Sequence, residues 1–292
     1  MRKLFSIFII LFLLISFKAF SQQRVVIAEK FTGTWCPYCP GAQMGLRNLK
    51  QEVGDLVAII AYHINDPFQV SEAVSRRNYY GVTGYPTVIF DGVLRRVGGY
   101  PNQPVPYRDL FDQRIIVAPL VDIGLRILSY NRNTGMGRVE VIITNLTSFV
   151  EGYLRCALVG KETLYYWQNQ THLYDICLDM FPNDASGQYI RLEMGQSFCD
   201  TYDFTISYGW RERECSIVAF FQDDNTKEIY NGKEVLIPLV AIKERKNNNL
   251  KTNVKVKEIF DIEGRKVKSF DSHGIYFLKY DNNSLKKIVI TK

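Results

Sequence analysis

The sequence is poor in the features that mark membrane spans, nucleic-acid binding and metal sites. After its first 20 residues, the 292-residue chain has no apolar run of the roughly 20 residues that a membrane-spanning helix needs. It has three isolated histidines and no second close cysteine pair that could complete a zinc site with Cys36 and Cys39. Residues 22–240 carry no basic stripe, so nucleic acid is not an expected partner. We expect no metal, no cofactor and no transmembrane span after signal removal.

The positive charge is concentrated at the C-terminal end of the chain. Residues 241–292 hold 13 Lys and Arg against 6 Asp and Glu, whereas residues 22–240 hold 20 against 24. The composition, 47% hydrophobic and 23% charged, is that of an ordinary globular protein. The length suggests two domains with a small appendage.

The first 21 residues read as an export signal. Arg2 and Lys3 precede an apolar run over residues 4–17, and small residues stand at Ala19 and Ser21. The run is short for a membrane anchor, and no cysteine lies near the predicted cut before Gln22, as a lipoprotein would require. We therefore expect an exported chain in a compartment where disulfides persist.

Residues 22–118 carry strand and helix patterns in alternation. The periodicity predicts strand, helix, strand, helix, hairpin and helix, over residues 25–31, 42–53, 56–64, 71–80, 87–97 and 107–115. Ser71 and Gly81 are the expected cap and stop of the second helix, and Asp91-Gly92 is the expected hairpin turn. The order predicts parallel pairing first and an antiparallel pair at the end.

The segment "FTGTWCPYCP", residues 31–40, places Cys36 and Cys39 between the first strand and the first helix. A thiolate is the attacking species in disulfide exchange, and a free cysteine of pKa about 8.5 supplies little of it at neutral pH. A helix N-terminus favours the anion, because unsatisfied N–H groups and the positive dipole end lie there. We predict a redox dithiol in which Cys36, nearer the solvent, attacks a substrate disulfide and Cys39 resolves the mixed disulfide.

This arrangement resembles the thioredoxin superfamily. "WCPYC" (residues 35–39) is similar to its active-site motif, and "GYPT" (residues 84–87) is similar to the loop that carries its cis-proline. The resemblance implies a thioredoxin-like domain over residues 22–118. It implies a cis Pro86 that exposes backbone for a substrate chain and fills the space opposite the dithiol. It also implies that Trp35 covers one side of the pair.

One position departs from that family. Thioredoxins carry a buried acid six residues before the first cysteine, where this chain has Lys30. Glu29 is adjacent, but strand alternation predicts that it points to the opposite face. Proton transfer would then be slower or use water. A purely structural Cys36–Cys39 disulfide remains an alternative, and His63 is interpreted as a satisfied residue at the end of a strand.

From residue 119 the pattern changes to the alternation of half-buried strands. About seven short strands without a long helix predict an antiparallel β-sandwich over residues 119–241, immunoglobulin-like in architecture. Its four cysteines allow three pairings. We favour Cys156–Cys215 and Cys177–Cys199, with free buried thiols as the alternative.

The remaining residues form a polar linker and a basic tail. Residues 242–251 are charged and rich in Asn, and residues 252–292 predict two short hairpins, turning at Glu263-Gly264 and Asp281–Asn283. "GRKV", "GIYFLK" and the end "KKIVITK" resemble the C-terminal sorting module of type IX secretion cargo. The alternative is a β-module that docks on the sandwich. The resemblance implies the type IX secretion machinery as a partner and passage across the outer membrane, and the sequence leaves open whether the tail is cut off there.

Together, the signal, "FTGTWCPYCP", "GYPTVIFDG", the sandwich and the tail resemble the Omp-twenty-eight-related outer membrane proteins of Gram-negative bacteria. This implies a secreted or cell-surface location reached through the periplasm. The leading hypothesis is an extracytoplasmic thiol–disulfide oxidoreductase that acts on protein thiols or disulfides and is served by a redox partner protein. The rival is a non-catalytic surface binding protein that keeps the scaffold and a locked disulfide.

Overall fold

The computed structural model describes residues 23–239 and, beyond them, residues 256–261, 265–267, 274–280 and 285–290. The chain divides into two compact units, residues 1–244 and 245–292. The predicted export signal (residues 1–21) and the predicted linker (residues 242–251) lie outside the described residues.

The first unit is a mixed α/β body made mostly of strands. Its helices are α1 (Cys39–Val53), α2 (Ser71–Tyr80) and α3 (Arg108–Ile115). Its strands are β1 (Val26–Thr32), β2 (Val57–His63), β3 (Thr87–Phe90), β4 (Leu94–Val97), β5 (Val121–Asn131), β6 (Met136–Asn145), β7 (Phe149–Trp167), β8 (Gln170–Phe181), β9 (Gln188–Glu193), β10 (Ser197–Thr205), β11 (Cys215–Gln222) and β12 (Ile229–Ile237).

The order predicted for the N-terminal part is confirmed. β1 pairs with β2 in parallel and with β3 antiparallel, and β3 and β4 form the hairpin. One detail of the capping prediction is wrong: Ser71 is the first helical residue of α2, and the extended Val70 occupies the cap position without a side-chain bond. Gly81, in the left-handed conformation at φ 59°, ends the helix as predicted.

Most strands of the first unit belong to one nine-stranded sheet. Its order is β12-β11-β7-β8-β2-β1-β3-β4, with β9 paired to β7. β8 joins β2 through the parallel pair Ala61–Ile176. Strands from residues 22–118 and from residues 119–241 therefore share a sheet, and the domain boundary predicted between residues 118 and 119 stays a prediction.

A second sheet, in the order β10-β6-β5, packs on part of the first. Ile123, Val141 and Phe204 from this sheet share a buried core with Leu158 and Ile217 from the large sheet. Two antiparallel layers with inward-pointing alternate residues form a sandwich, as the alternation predicts. The immunoglobulin-like assignment stays a prediction.

The predicted disulfides of the sandwich are wrong, because all four cysteines are free. Cys156 and Cys215 face the same core, but Cys156 lies opposite Ala219. Ala219 is four residues from Cys215 on the same strand, and each residue adds about 3.3 Å. The two cysteines are therefore too far apart for a disulfide, which needs Cα atoms within about 7 Å. Cys177 packs in a different core from Cys156, and Cys199 is exposed on the second sheet.

The second unit is a four-stranded antiparallel sheet in the order β14-β13-β15-β16. Its strands are β13 (Val256–Asp261), β14 (Lys266–Val267), β15 (Gly274–Tyr280) and β16 (Leu285–Ile290). β13 pairs with β14 and β15 with β16, which confirms the two predicted hairpins. Most of their turn residues, 262–264 and 281–284, lie outside the described residues. In the part of the chain that the structure describes, no helix is long and apolar enough to cross a membrane.

Candidate functional site

A disulfide joins Cys36 and Cys39 at the junction of β1 and α1, with their Cα atoms 5.5 Å apart. The chain turns after β1, and the Cys36 N–H donates to the Gly33 carbonyl at 3.0 Å. α1 then begins at Cys39 with a proline in its first turn, where the missing N–H of proline is not needed. The local sequence thus positions both sulfur atoms at the start of a helix, as predicted.

Both cysteines are buried, and Cys36, the one expected nearer the solvent, is only slightly more exposed than Cys39. Cys36 is 2% exposed and Cys39 is fully buried. The two sulfur-bearing side chains share one apolar cluster with Trp167, Leu173 and Ile176. These three residues come from the β7–β8 hairpin, more than 120 residues further along the chain.

The part of that hairpin that covers the disulfide, residues 162–174, is called the arm here. The partner strand β11 reaches only as far as Gly160, so beyond this point β7 pairs with β8 alone. At the tip, Gln168 and Asn169 both have positive φ, the conformation of a tight two-residue hairpin turn. The amide Nε2 of Gln168 donates to the carbonyl oxygens of Thr34 and Trp35, each at 3.3 Å.

A second contact holds the arm to α1. The Gln43 amide Nε2 donates to the carbonyl oxygen of His172 at 3.0 Å, and the Trp167 indole N–H donates to the same carbonyl at 3.1 Å. The ring of Phe68 packs edge-to-face on Tyr165 at 4.9 Å between centroids. The arm is therefore anchored on both sides of the disulfide.

The Tyr85–Pro86 peptide bond is cis, as predicted. The expected open backbone is not found: Pro86 is buried, and its carbonyl accepts the Gly98 N–H at 2.8 Å. Gly99 approaches so closely that a Cβ there would lie 2.4 Å from the Tyr38 carbonyl oxygen and 3.0 Å from Pro86 Cγ. The loop after β4 thus passes over Pro86.

Trp35 lies at the edge of the covered site and is 45% exposed. Its indole N–H donates to the Ile64 carbonyl at 2.8 Å, and its ring packs edge-to-face on Tyr85 at 5.5 Å. A shallow depression beside these two rings is also lined by Asn65 and Arg77. This is the accessible surface next to the disulfide.

Lys30 and Glu29 occupy opposite faces of β1, as predicted. The Glu29 carboxylate accepts hydrogen bonds from Arg76 at 2.7 Å, Tyr62 at 3.0 Å and Tyr80 at 2.5 Å. Lys30 is 2% exposed on the other face. Burial lowers the pKa of Lys30 to about 8, and the negative charge of Asp175 opposes this shift.

Only one of the two ring nitrogens of His63 has a hydrogen-bond partner among the described residues, which corrects its interpretation as a satisfied residue at the end of a strand. Its Nδ1 lies 2.7 Å from Asp66 Oδ2, but its Nε2 is buried with no hydrogen-bond partner among the described residues. Burial lowers the pKa of His63, and the hydrogen bond to Asp66 opposes this shift. Asp66 also accepts the Thr34 N–H at 2.8 Å, which ties this pair to the turn before Cys36.

The arm is the part of the site that sequence reasoning missed. Trp167, Gln168, Leu173 and Ile176 carry no motif, and their role depends on a pairing between β8 and β2 that no local pattern encodes. The Gln168-Asn169 turn between two alternating runs was the available sign of a hairpin. In the described residues, no group of three or more His, Cys, Asp or Glu could hold a metal ion.

Comparisons with known proteins show a likeness of fold. No family model matches the chain, and no curated protein matches its sequence. HBP35 of Porphyromonas gingivalis is similar at a TM-score of 0.59 and 15% identity, over 93% of this chain and 99% of that one. A protein from Agrobacterium tumefaciens is similar at 0.47 and 18%, over 76% and 99%. A domain of the outer membrane lipoprotein Omp28 from Porphyromonas gingivalis is similar at 0.25 and 20%, over 40% and 88%.

Proposed function

We propose that this chain is an extracytoplasmic thiol–disulfide oxidoreductase with a thioredoxin-like N-terminal part, acting on protein thiols or disulfides. The observation that carries the proposal is the Cys36–Cys39 disulfide at the junction of β1 and α1, beside Trp35 and cis Pro86. This combination brings together a dithiol, a helix N-terminus and an aromatic edge in the order typical of thioredoxin-like enzymes.

The proposed exchange runs through a mixed disulfide. In the reduced protein, the Cys36 thiolate attacks one sulfur of a substrate disulfide and releases the other as a thiolate. The Cys39 thiolate then attacks Cys36 Sγ, which forms the Cys36–Cys39 bond and releases the second substrate thiolate. Two electrons pass from the protein to the substrate, and the same steps in reverse oxidise a substrate dithiol.

Trapping tests the assignment of Cys36 as the attacking residue. Cys39→Ser should accumulate mixed disulfides with protein substrates, because the resolving thiol is missing, and Cys36→Ser should not. Adducts formed by Cys36→Ser alone, or by neither variant, would contradict the mechanism. The reduction potential of the pair in glutathione buffers should lie in the range of exchange catalysts, roughly −270 to −120 mV.

The burial of both cysteines favours a second candidate function. A disulfide covered on several sides can serve as a structural bond in a surface protein that binds partners without catalysis. Such a bond would have a potential below about −300 mV and would resist glutathione. The potential therefore discriminates between the two functions in one measurement.

We also propose delivery to the cell surface, on the basis of the N-terminal signal pattern and the tail. The separate compact unit of residues 245–292 supports a tail with a role apart from the disulfide site. Deleting residues 252–292 should leave a folded protein with an unchanged dithiol potential that accumulates in the periplasm of its host. Normal surface delivery of the truncated chain would contradict an export role through the type IX machinery.

A further inference from the structure

We propose that Lys30 is a buried cation that stabilises the Cys39 thiolate and so makes the Cys36–Cys39 disulfide an oxidant of protein dithiols. This inference rests on the proposed exchange function and adds its direction. In this role Lys30 is a positioning residue: it acts through the charge of Cys39 and touches no substrate.

The strand register places Lys30 in the row of residues beneath the disulfide. Lys30 of β1 pairs with Ala61 of β2, and Ala61 pairs in parallel with Ile176 of β8. Paired residues of adjacent strands point to the same face and are separated by about 4.8 Å. Ile176 belongs to the apolar cluster that contains Cys36 and Cys39.

The same face of β1 is covered by α1. Val26 and Ala28 pack in one core with Leu46 and other α1 residues. Since side chains alternate along a strand, Lys30 continues this face towards the C-terminal end of β1. That end leads into the turn before α1, where Cys39 begins the helix, so Lys30 stands two residues from the end of β1 on the face that α1 covers.

Two charged groups near Lys30 on the neighbouring strands have ion-pair partners of their own. On β8, Asp175 attracts Lys30 but is held in an ion pair by Lys161. On β2, His63 faces the same region and carries its own anion, Asp66. The first turn of α1 contains no acidic residue, and Glu29 faces the opposite side of the sheet.

The region also holds polar atoms that can exchange a proton. Thr32 Oγ1 and His63 Nε2 are buried without a hydrogen-bond partner among the described residues, and Thr32 pairs with His63 across the strands. Buried polar groups without partners are costly in free energy and rare in a purely structural core. A lysine whose pKa is about 8 adds a group that gains or loses a proton near neutral pH.

The proposed step oxidises a substrate dithiol. A substrate thiolate attacks Cys36 Sγ, the Cys36–Cys39 bond breaks, and Cys39 leaves as a thiolate beside the Lys30 ammonium. The second substrate thiolate attacks the substrate sulfur of the mixed disulfide, which forms the substrate disulfide and releases Cys36. Two electrons pass to the protein. A nearby cation lowers the pKa of a thiol, and stabilising the reduced form makes the disulfide more oxidising.

The test compares the full-length protein with Lys30→Met and Lys30→Arg. Ultraviolet absorbance of the thiolate against pH reports the thiol pKa values of the reduced protein, and glutathione buffers report the disulfide equilibrium. In Lys30→Met we expect the Cys39 thiol pKa, read in a Cys36→Ser background, to rise by about one unit. The equilibrium should shift about tenfold towards the disulfide, which corresponds to about 30 mV. Lys30→Arg should keep both values near those of the native chain.

Lys50→Met is the matched control. Lys50 lies in the last turn of α1, the helix that begins at Cys39, and it pairs with Glu234. An equal shift in Lys50→Met and Lys30→Met, or no shift in either, overturns the assignment of Lys30. A Cys39 thiol pKa at or above about 8.5 in the Cys36→Ser protein that keeps Lys30 also overturns it. If glutathione cannot reduce the disulfide in any of the proteins, the proposed exchange function fails together with this inference.

Discussion

The two faces of β1 carry adjacent buried charged residues, Glu29 and Lys30, that differ in how far their charges are compensated by neighbouring groups. On one face, both carboxylate oxygens of Glu29 accept hydrogen bonds from Arg76 and two tyrosines. Arg76 Nη1 has no acceptor among the described residues, but the guanidinium lies over the rings of Tyr80 and Phe220. On the other face, Lys30 is buried, and the same region holds two polar atoms, Thr32 Oγ1 and His63 Nε2, for which the described part of the chain offers no hydrogen-bond partner.

The difference separates a buried ion pair that stabilises the fold from a buried amine that can gain or lose a proton. A buried carboxylate that accepts hydrogen bonds from a guanidinium and two hydroxyl groups is compensated, and removing the cation leaves an uncompensated charge. A buried ammonium whose pKa lies near 8 lowers the stability of the folded protein while it is charged. Such a lysine is typical of a functional site rather than of a structural core. The predictions below test this distinction.

The largest effect is expected from breaking the Glu29 pair. Arg76→Ala should lower the free energy of unfolding by about 3–5 kcal/mol, because it leaves the Glu29 carboxylate buried without its cation. Denaturant unfolding measures the change. Arg77→Ala, at a half-buried neighbouring position whose guanidinium bonds only the side chain of Asn78 among the hydrogen bonds described, should stay within about 0.5 kcal/mol. Equal losses of stability in the two variants would contradict a specific contribution of the Glu29–Arg76 ion pair.

A smaller effect of opposite sign is expected from Lys30→Met. The folded-state pKa of Lys30, about 8, lies below its ordinary value of 10.5, so the unfolded chain binds more protons between these two pH values. Stability attributable to this residue therefore rises with pH from about 8 to about 10.5. Removing the charge should raise the free energy of unfolding at pH 7 by about 1–3 kcal/mol.

Unfolding curves at pH 7 and pH 10.5 check this result. The gain from Lys30→Met should be present at pH 7 and small at pH 10.5, where folded Lys30 is neutral and unfolded Lys30 is about half neutral. A loss of stability at pH 7 would mean that the Lys30 ammonium is as well paired as the Glu29 carboxylate, and the contrast between the faces would disappear.

Opening the arm should expose the Lys30 side of the sheet to reagents. Trp167→Ala removes a ring that packs on the disulfide, and we expect Cys36–Cys39 to react about tenfold faster with a small reductant, equivalent to about 1.4 kcal/mol of easier local opening. Tyr166→Ala is the control, because this neighbour is 75% exposed. Equal rates in the two variants would mean that the arm does not limit access.

The smallest effect is expected from His63. Burial lowers its folded-state pKa below the ordinary 6.5, so below pH 6.5 the unfolded chain takes up a proton that the folded chain does not. This residue should therefore contribute a loss of stability on acidification, up to about 1 kcal/mol between pH 6.5 and pH 5.5. His63→Gln should flatten that part of the profile.

The residues that the sequence placed correctly depend on local rules. The opposite orientations of Glu29 and Lys30 follow from strand alternation, and the position of Cys36 and Cys39 follows from a strand leading into a helix. The pairing of Cys156 with Cys215 failed because alternation predicts the face of a residue but not its position along a neighbouring strand. The cover over the disulfide was missed because β8 meets β2 at a single pair, Ala61–Ile176, more than 100 residues apart.

The arm also has a consequence for the order of events during biosynthesis. Trp167 is synthesised 128 residues after Cys39. The cover over the two thiols is therefore the last part of the site to be made. Until this hairpin docks, Cys36 and Cys39 lack the cover that Trp167 and Leu173 provide in the folded protein.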